Sequence, residues 1–273
     1  MEKMISVEHL TRDYGEKKGV FDISFSMDKG EVFGFLGPNG AGKTTVIRHL
    51  MGFIKPKTGT CMIKQRDCWK DRDIVQEIVG YIPGEISFFD DMSGMEYLNF
   101  IEKYRRLDCK NRKRELIDLF ELDTKMKIRK MSKGNKQKVA IVAAFMHDPQ
   151  VLILDEPTSG LDPLMQNRFV QVIKEEKKKG KTIFLSSHIF EEVERTCDRI
   201  AIIRNGALAA VDEVDTLRKK HLRTYQVQLN SEEEAIAFAR DFDGNCDGCL
   251  VTVSAKTSLE DIFMNYYGGN GND

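Results

Sequence analysis

The chain has 273 residues, 41% of them hydrophobic and 31% charged, with 42 Lys+Arg against 43 Asp+Glu and a formal net charge of -1. That length is enough for one large α/β domain plus a small appendage. The near-neutral balance gives no electrostatic case for nucleic acid or for an anionic membrane surface.

The longest apolar run, Val139 to Met146, is about half of what a bilayer span needs. The opening MEKMISVEHL lacks the apolar core of a signal peptide, so the chain is expected to be cytosolic, and any membrane pore to be another polypeptide. Six cysteines are scattered along the chain, as free thiols of a reducing compartment would be. Only Cys246 and Cys249 have ligand-like spacing; with no second pair to complete a zinc site, they read as two thiols at a turn.

In chain order, Ile5–Val7 and Phe21–Met27 read as strands, the second with period-2 alternation. Val32–Leu36 is a short apolar strand, followed by a glycine-rich loop and a helix from Thr44 to Met51. From about 85 to 148 the pattern turns helical. Ser93 and Glu96 form a capping box ahead of Leu98, Ile101 and Tyr104 at helical spacing. A second helix covers Asn111 to Phe120, and a third starts near Ser132 with Val139, Val142, Ala143 and Met146 on one face, stopped by Asp148-Pro149. Val151–Leu154 is a wholly apolar strand, as expected where both faces are covered.

Asp162-Pro163 opens a helix whose buried face carries Met165, Phe169 and Val172, and Gly180 ends it. Thr182–Leu185 is the next strand, with a helix after His188. Ile200–Ile203 and Ala207–Val211 form a hairpin around Asn205-Gly206. Alternation of this kind predicts an α/β sheet with a parallel core; with the phosphate loop at 37–44, residues 1–217 read as a P-loop core with a mixed sheet and a helical insertion at about 85–148. A small α+β appendage, 218–273, follows: a strand at Tyr225–Leu229, a helix opened by Ser231 and Glu234, a strand at Leu250–Val253 and a closing helix, Ser258 to Tyr267.

Gly37-Pro38-Asn39-Gly40-Ala41-Gly42-Lys43-Thr44 matches G-x-x-x-x-G-K-[ST] between a strand and a helix. At ordinary glycine usage such a match arises by chance in about one chain in a hundred. The context is what the chemistry needs: curled backbone N–H groups and a helix N-terminus face a phosphate. Lys43 then reaches the β- and γ-phosphates and the Thr44 hydroxyl binds Mg²⁺. Asp155 and Glu156 end an apolar strand at the sheet edge where ligands bind. Successive strand residues point to opposite sides, so the two carboxylates are expected to differ in role, Asp155 toward Mg²⁺ and Glu156 toward the attacking water.

These motifs make the chain resemble the nucleotide-binding subunit of an ABC transporter, from Ser6 to about Val211. The resemblance implies that ATP and Mg²⁺ are bound, with Thr45 completing the phosphate loop and Tyr14 stacking on adenine. It implies that Glu156 and His188 serve hydrolysis and that Ser159-Gly160-Leu161-Asp162 is the loop facing a partner subunit. Ser132-Lys133-Gly134-Asn135 stands where the family usually has Ser-Gly-Gly-Gln, and would contact nucleotide held by that partner. Lys133 to Lys138 fits the variant of drug- and antibiotic-exporting members. Tyr81-Ile82-Pro83-Gly84-Glu85 carries glycine at the family's usual glutamine, so either Glu85 substitutes or coupling differs.

Two such subunits, identical or not, are expected to pack head to tail around ATP and to power a separate membrane permease, as an exporter, at the inner face of the membrane and without nucleic acid. The rival readings are a P-loop GTPase, an ABC-type ATPase of regulatory or DNA-associated kind, and a non-enzymatic binding module. The first lacks an Asn-Lys-x-Asp motif, since Asn135-Lys136-Gln137 is followed by Lys138. The second usually carries long coiled coils or paired ATPase domains.

Overall fold

The computed structural model describes residues 2–220, 223–242 and 244–255. Strands β1 (Lys3–Asp13) and β2 (Gly19–Asp28) pair antiparallel, and β3 (Val32–Leu36) leads into α1 (Lys43–Leu50). Next come β4 (Thr58–Ile63), β5 (Arg66–Asp67), α2 (Arg72–Ile78) and β6 (Val79–Ile82). The helical block holds α3 (Gly94–Arg105), α4 (Lys110–Leu119) and α5 (Lys133–Phe145). The chain continues through β7 (Val151–Asp155), α6 (Pro163–Lys178), β8 (Thr182–Ser187), α7 (Phe190–Thr196), β9 (Arg199–Arg204) and β10 (Ala207–Glu213). Last are α8 (Val214–Lys220), β11 (Arg223–Gln228), α9 (Glu232–Asp241), β12 (Asn245–Asp247) and β13 (Leu250–Ala255). The expected closing helix at Ser258 lies outside the described residues.

Two sheets build the first compact unit, which ends at Val211. One is antiparallel, in the order β2-β1-β4-β5; the other runs β10-β9-β3-β8-β7-β6, with parallel pairing from β9 through β6. Period-2 geometry divides each central strand between two cores. Phe33, Phe35, Ile153 and Phe184 face the antiparallel sheet and α1, while Leu152, Leu154, Ile183 and Leu185 face α5 and α6. Phe25, Phe33, Phe35 and Phe184 pack ring against ring at 5.2–6.2 Å, and burying each ring contributes roughly 2 kcal/mol. With both faces covered, every residue of β3, β7 and β8 is buried.

The helix signals act locally. Ser93 Oγ accepts the Glu96 amide and Glu96 returns the bond to the Ser93 amide at 2.6 Å. Asp162 caps α6 through the Met165 amide at 3.0 Å. The hairpin between β9 and β10 turns on Asn205 and Gly206, both at positive φ, the backbone of a type I′ turn. Two helix faces differ from the sequence expectation. Tyr104 is 77% exposed although Leu98 on the same helix is buried. Helix α5 is buried on more than one face, because α3, α4 and β6 pack around it, so Ala140, Ile141, Ala144 and Phe145 are core residues too.

The second unit begins at Asp212. Its described part holds α8 and an antiparallel sheet, β11-β13-β12, with α9 packed on that sheet through Ala235, Ala239 and Val251. Ser231 caps α9 by accepting the Glu234 amide at 3.2 Å.

Candidate nucleotide site

Parallel strands side by side bring their C-terminal ends to one edge, and that is where the sequence places its polar groups. β3 ends at Leu36 and opens the loop 37–42; β7 ends at Asp155; β8 ends at Ser187, ahead of His188. A pocket of about 540 Å³ lies at this edge, lined among others by Tyr14, Lys43, Thr44, Glu85, Asp155 and Glu156. Pro38, Asn39, Gly40, Gly42 and Thr45 also line it. Ala41 is buried beneath the loop, where its carbonyl accepts the Gly206 amide. Gly42 must be glycine on two counts: its φ is +111°, and a Cβ there would meet Val20 at 2.8 Å.

Lys43 leads α1 yet is only 6% exposed. Its ammonium donates to the Gly37 carbonyl at 2.6 Å and the Pro38 carbonyl at 3.3 Å. Glu156 Oε1 lies 3.1 Å away, an ion-pair contact without hydrogen-bond geometry. The Thr44 hydroxyl donates to Asp155 Oδ2 at 2.8 Å and the Ser186 hydroxyl to Asp155 Oδ1 at 2.5 Å. His188 Nδ1 sits 2.5 Å from Glu156 Oε2, and the carboxylate acceptor places the proton on Nδ1. Burial, and then the charge of Asp155, push the nearby Tyr81 phenol up to about 12, so it stays neutral.

One premise of the sequence reading is corrected here. Asp155 and Glu156 do not alternate across a strand. β7 stops at Asp155, and Glu156 has φ +50° while its amide bonds Ser186, which turns its side chain toward Lys43. Both carboxylates therefore face the phosphate loop, distinguished by partners rather than by side. Asp155 takes two hydroxyls; Glu156 takes a lysine and a histidine.

Tyr14 stands at the pocket rim, 52% exposed, with the Arg12 guanidinium 5.3 Å from its ring. Gly84 lies against Asp155: a Cβ there would stand 2.9 Å from Oδ2. The glutamine expected from the family has no room at this position without displacing Asp155, while Glu85 lines the pocket.

Ser132, Lys133, Gly134 and Asn135 are not among the residues lining that pocket. Ser132 caps α5 by accepting the Asn135 amide at 3.2 Å. Lys133 Nζ donates to Ser159 Oγ at 2.8 Å, and a Cβ on Gly134 would stand 2.6 Å from the Gly160 carbonyl. This motif and the loop Ser159–Asp162 are thus neighbours within one chain, with Leu161 buried below them. Sequence reasoning did not single out Ser186 or Lys18, which lines the pocket beside Tyr14. The only signal for Ser186 was its place two residues before His188.

Among the described residues no group of three or more His, Cys, Asp or Glu side chains is placed to hold a metal ion by itself. The Thr44 and Asp155 oxygens do fit the partial shell of a hard cation that takes its remaining ligands from phosphate and water. No helix of the described residues is long and apolar enough to cross a membrane.

Comparison with known proteins agrees with this geometry. The family model described as ABC transporter matches residues 20–159. The bacitracin transport ATP-binding protein BcrA of Bacillus licheniformis is 32% identical, over 98% of this chain and 99% of that relative. The linearmycin resistance ATP-binding protein LnrL of Bacillus subtilis is 38% identical, over 76% of this chain and 68% of the relative. Among solved structures, an ATP-binding subunit of an ABC transporter superposes with a TM-score of 0.74 at 32% identity, covering 80% of this chain and 92% of its own. The dimeric bacterial cassette MJ0796, at 22% identity and TM-score 0.68, shares the fold.

Proposed function

The chain belongs to the ABC transporter family of ATP-binding, ATP-hydrolysing subunits, and from that premise we propose how its residues divide the work. The observation that carries the reading is the convergence of Lys43, Thr44, Asp155 and Glu156 on one pocket beside the ends of three adjacent parallel strands, with His188 held against Glu156 at 2.5 Å. ATP lies with its polyphosphate along residues 37–45 and its adenine on Tyr14. Arrival of the γ-phosphate draws Lys43 away from Glu156, since one ammonium serves both anions. Thr44 and Asp155 hold Mg²⁺, which when bound neutralises phosphate charge. Freed from Lys43, Glu156 orients and polarises the attacking water, and His188, fixed through Nδ1, presents Nε2 to the γ-phosphate.

A second copy or a related subunit supplies Ser132–Asn135 across the nucleotide. Support comes from the exposed helix N-terminus of α5, which faces outward beside the Ser159 loop, and from the dimer seen in the like-folded cassette. A membrane permease docks near Ser87–Met92. There Phe89, Phe100 and Tyr104 form an exposed row of rings, Phe89 to Phe100 at 5.5 Å and Phe100 to Tyr104 at 6.4 Å. Docked to that permease, the chain works at the inner face of the membrane. The bacitracin and linearmycin relatives favour export of an antibiotic-like molecule. The residues 212–273 serve as an accessory unit.

Glu156→Gln tests the division of labour. Phosphate release should fall on the order of a thousandfold while ATP binding persists and a dimer accumulates on size exclusion. Turnover at the wild-type rate would remove Glu156 from the reaction.

A further inference from the structure

Behind the pocket lies a third carboxylate. Glu192, in the first turn of α7, is 6% exposed. Its Oε2 accepts the Thr158 hydroxyl at 3.1 Å and the Ser187 hydroxyl at 3.0 Å. Thr158 stands two residues after Glu156, and Ser187 stands immediately before His188. One oxygen atom therefore joins the segment that carries Glu156 to the segment that carries His188. The other oxygen, Oε1, is buried without a hydrogen-bond partner among the described residues. A cavity of about 190 Å³ adjoins, lined by Thr158, Gln166, Asn167 and Arg195 as well as Glu192.

A carboxylate so placed is not serving its own helix. An acid in a first turn ordinarily takes the free amides of that turn, whereas the bonds of Glu192 go to hydroxyls outside its helix, Thr158 in the turn after β7 and Ser187 at the end of β8. Leaving one oxygen bare in a buried place is costly, so a merely space-filling role favours an apolar side chain or an amide. We propose that Glu192 is a positioning residue for ATP hydrolysis: by bridging Thr158 and Ser187 it sets the distance between Glu156 and His188 at the γ-phosphate. This rests on the roles assigned above to Glu156 and His188.

The local electrostatics give the bridge a signature. Burial first, and the charge of Glu156 as well, push the Glu192 carboxyl up to about 7, while the two hydroxyls and His188 pull the other way. The charged or titratable groups around it include Glu156 just after β7, His188 after β8, Glu191 and Arg195 on α7 and the Cys197 thiol that follows α7; α6 contributes the neutral Gln166 and Asn167. Arg195 is engaged by Asn167 at 2.7 Å and Glu191 at 3.8 Å, and among the described residues no cation pairs with Glu192. The ionised form accepts both hydroxyls fully; the protonated form is the weaker double acceptor. Tight bridging thus belongs to the alkaline side of neutrality.

The test uses the full chain, with steady-state ATP hydrolysis from pH 6 to 9 and equilibrium binding of a fluorescent ATP analogue. Glu192→Gln keeps the size and the acceptor oxygen but not the charge. At pH 8 its kcat should fall roughly tenfold with nucleotide affinity within about twofold of wild type. At pH 6, where Glu192 is already protonated, the two chains should differ by less than about threefold, because the limb of the wild-type profile centred near 7 is lost in the variant. Thr158→Val and Ser187→Ala should each lower kcat, and neither should add its full effect to Glu192→Gln.

Wild-type kcat in Glu192→Gln at pH 8, or an unchanged pH profile, overturns the proposal. So does a loss of nucleotide affinity in step with activity, which would make Glu192 part of the general fold. Glu156→Gln, run beside it, separates the two failures. If that variant is silent while Glu192→Gln matches wild type, only the bridging role falls; if it stays active, the assignment of the base falls and the bridge with it.

Discussion

Every residue of β3, β7 and β8 is buried, whereas every residue of β12 is exposed. The two sheets that contain these strands differ in the same sense. The central one is covered on both faces, by an antiparallel sheet with α1 on one side and by α5 and α6 on the other. Among the described residues the small one is packed by one helix, α9, over a core of Ala235, Ala239 and Val251. A strand covered on both faces has no place along its length for a polar side chain, so Asp155, Ser186 and Ser187 appear only where the strands end. Close packing holds those ends still, and three adjacent ends make a site. A half-exposed strand spreads its polar residues along its length, facing solvent, and brings no such set together. Chemistry in this chain follows the sheet that is packed twice.

That contrast can be broken first at its apolar root. Phe184→Ala removes the ring that Phe25, Phe33 and Phe35 all touch. The expected loss is about 3–5 kcal/mol in urea unfolding, with nucleotide binding lost as the strand ends loosen. A loss under about 1 kcal/mol would mean that the central sheet does not depend on this stack.

Next in size is a pH effect within the same unit. His147 is buried at the end of the α5 segment, and desolvation, followed by Arg105, lowers its pKa to about 4. Its folded value is below its unfolded value near 6.5, so the neutral ring contributes stability that is whole above 6.5 and is lost as pH falls toward 4. The contribution is on the order of 2–3 kcal/mol. Urea midpoints should drop between pH 6.5 and 4 in the wild type and drop less in His147→Gln; parallel pH curves would contradict this.

Gly84→Ala sharpens the comparison at the strand end itself. The added methyl meets Asp155 Oδ2 at 2.9 Å, so the carboxylate must shift. ATP turnover should fall roughly tenfold and need more Mg²⁺, while nucleotide binding measured without Mg²⁺ stays within about twofold. Equal loss with and without Mg²⁺ would place the damage elsewhere. The smallest effect belongs to the second unit. Val251→Ala should cost on the order of 1–2 kcal/mol there and leave ATP affinity unchanged within about twofold.

The same contrast explains what could be read from the residues alone. The phosphate loop was legible because strand, loop and helix are consecutive, from Val32 to Leu50, and the caps at Ser93, Asp162 and Ser231 because each acts within three residues. The turn of Glu156 toward Lys43 was not, since it depends on a positive φ held by Ser186 of the neighbouring strand. Ser186 and Glu192 were silent for a like reason: Asp155, which Ser186 bonds, is 31 residues away, and Thr158, one of the two partners of Glu192, is 34 away along the chain. Elements between Gly52 and Pro83 are short, two of them of seven and two residues, and carry little periodicity to detect. The outward face of α3 at Tyr104 keeps helical spacing, but among the described residues only Phe100 of the same helix packs against its ring, which stays 77% exposed.

The central claim is that the loop 37–44 grips polyphosphate through Lys43. Equilibrium titration of ATP into the full chain and into Lys43→Ala measures it directly. The account predicts affinity weaker by about a hundredfold in the variant, the cost of removing a buried cation from a phosphate. Equal affinity in the two chains would contradict it.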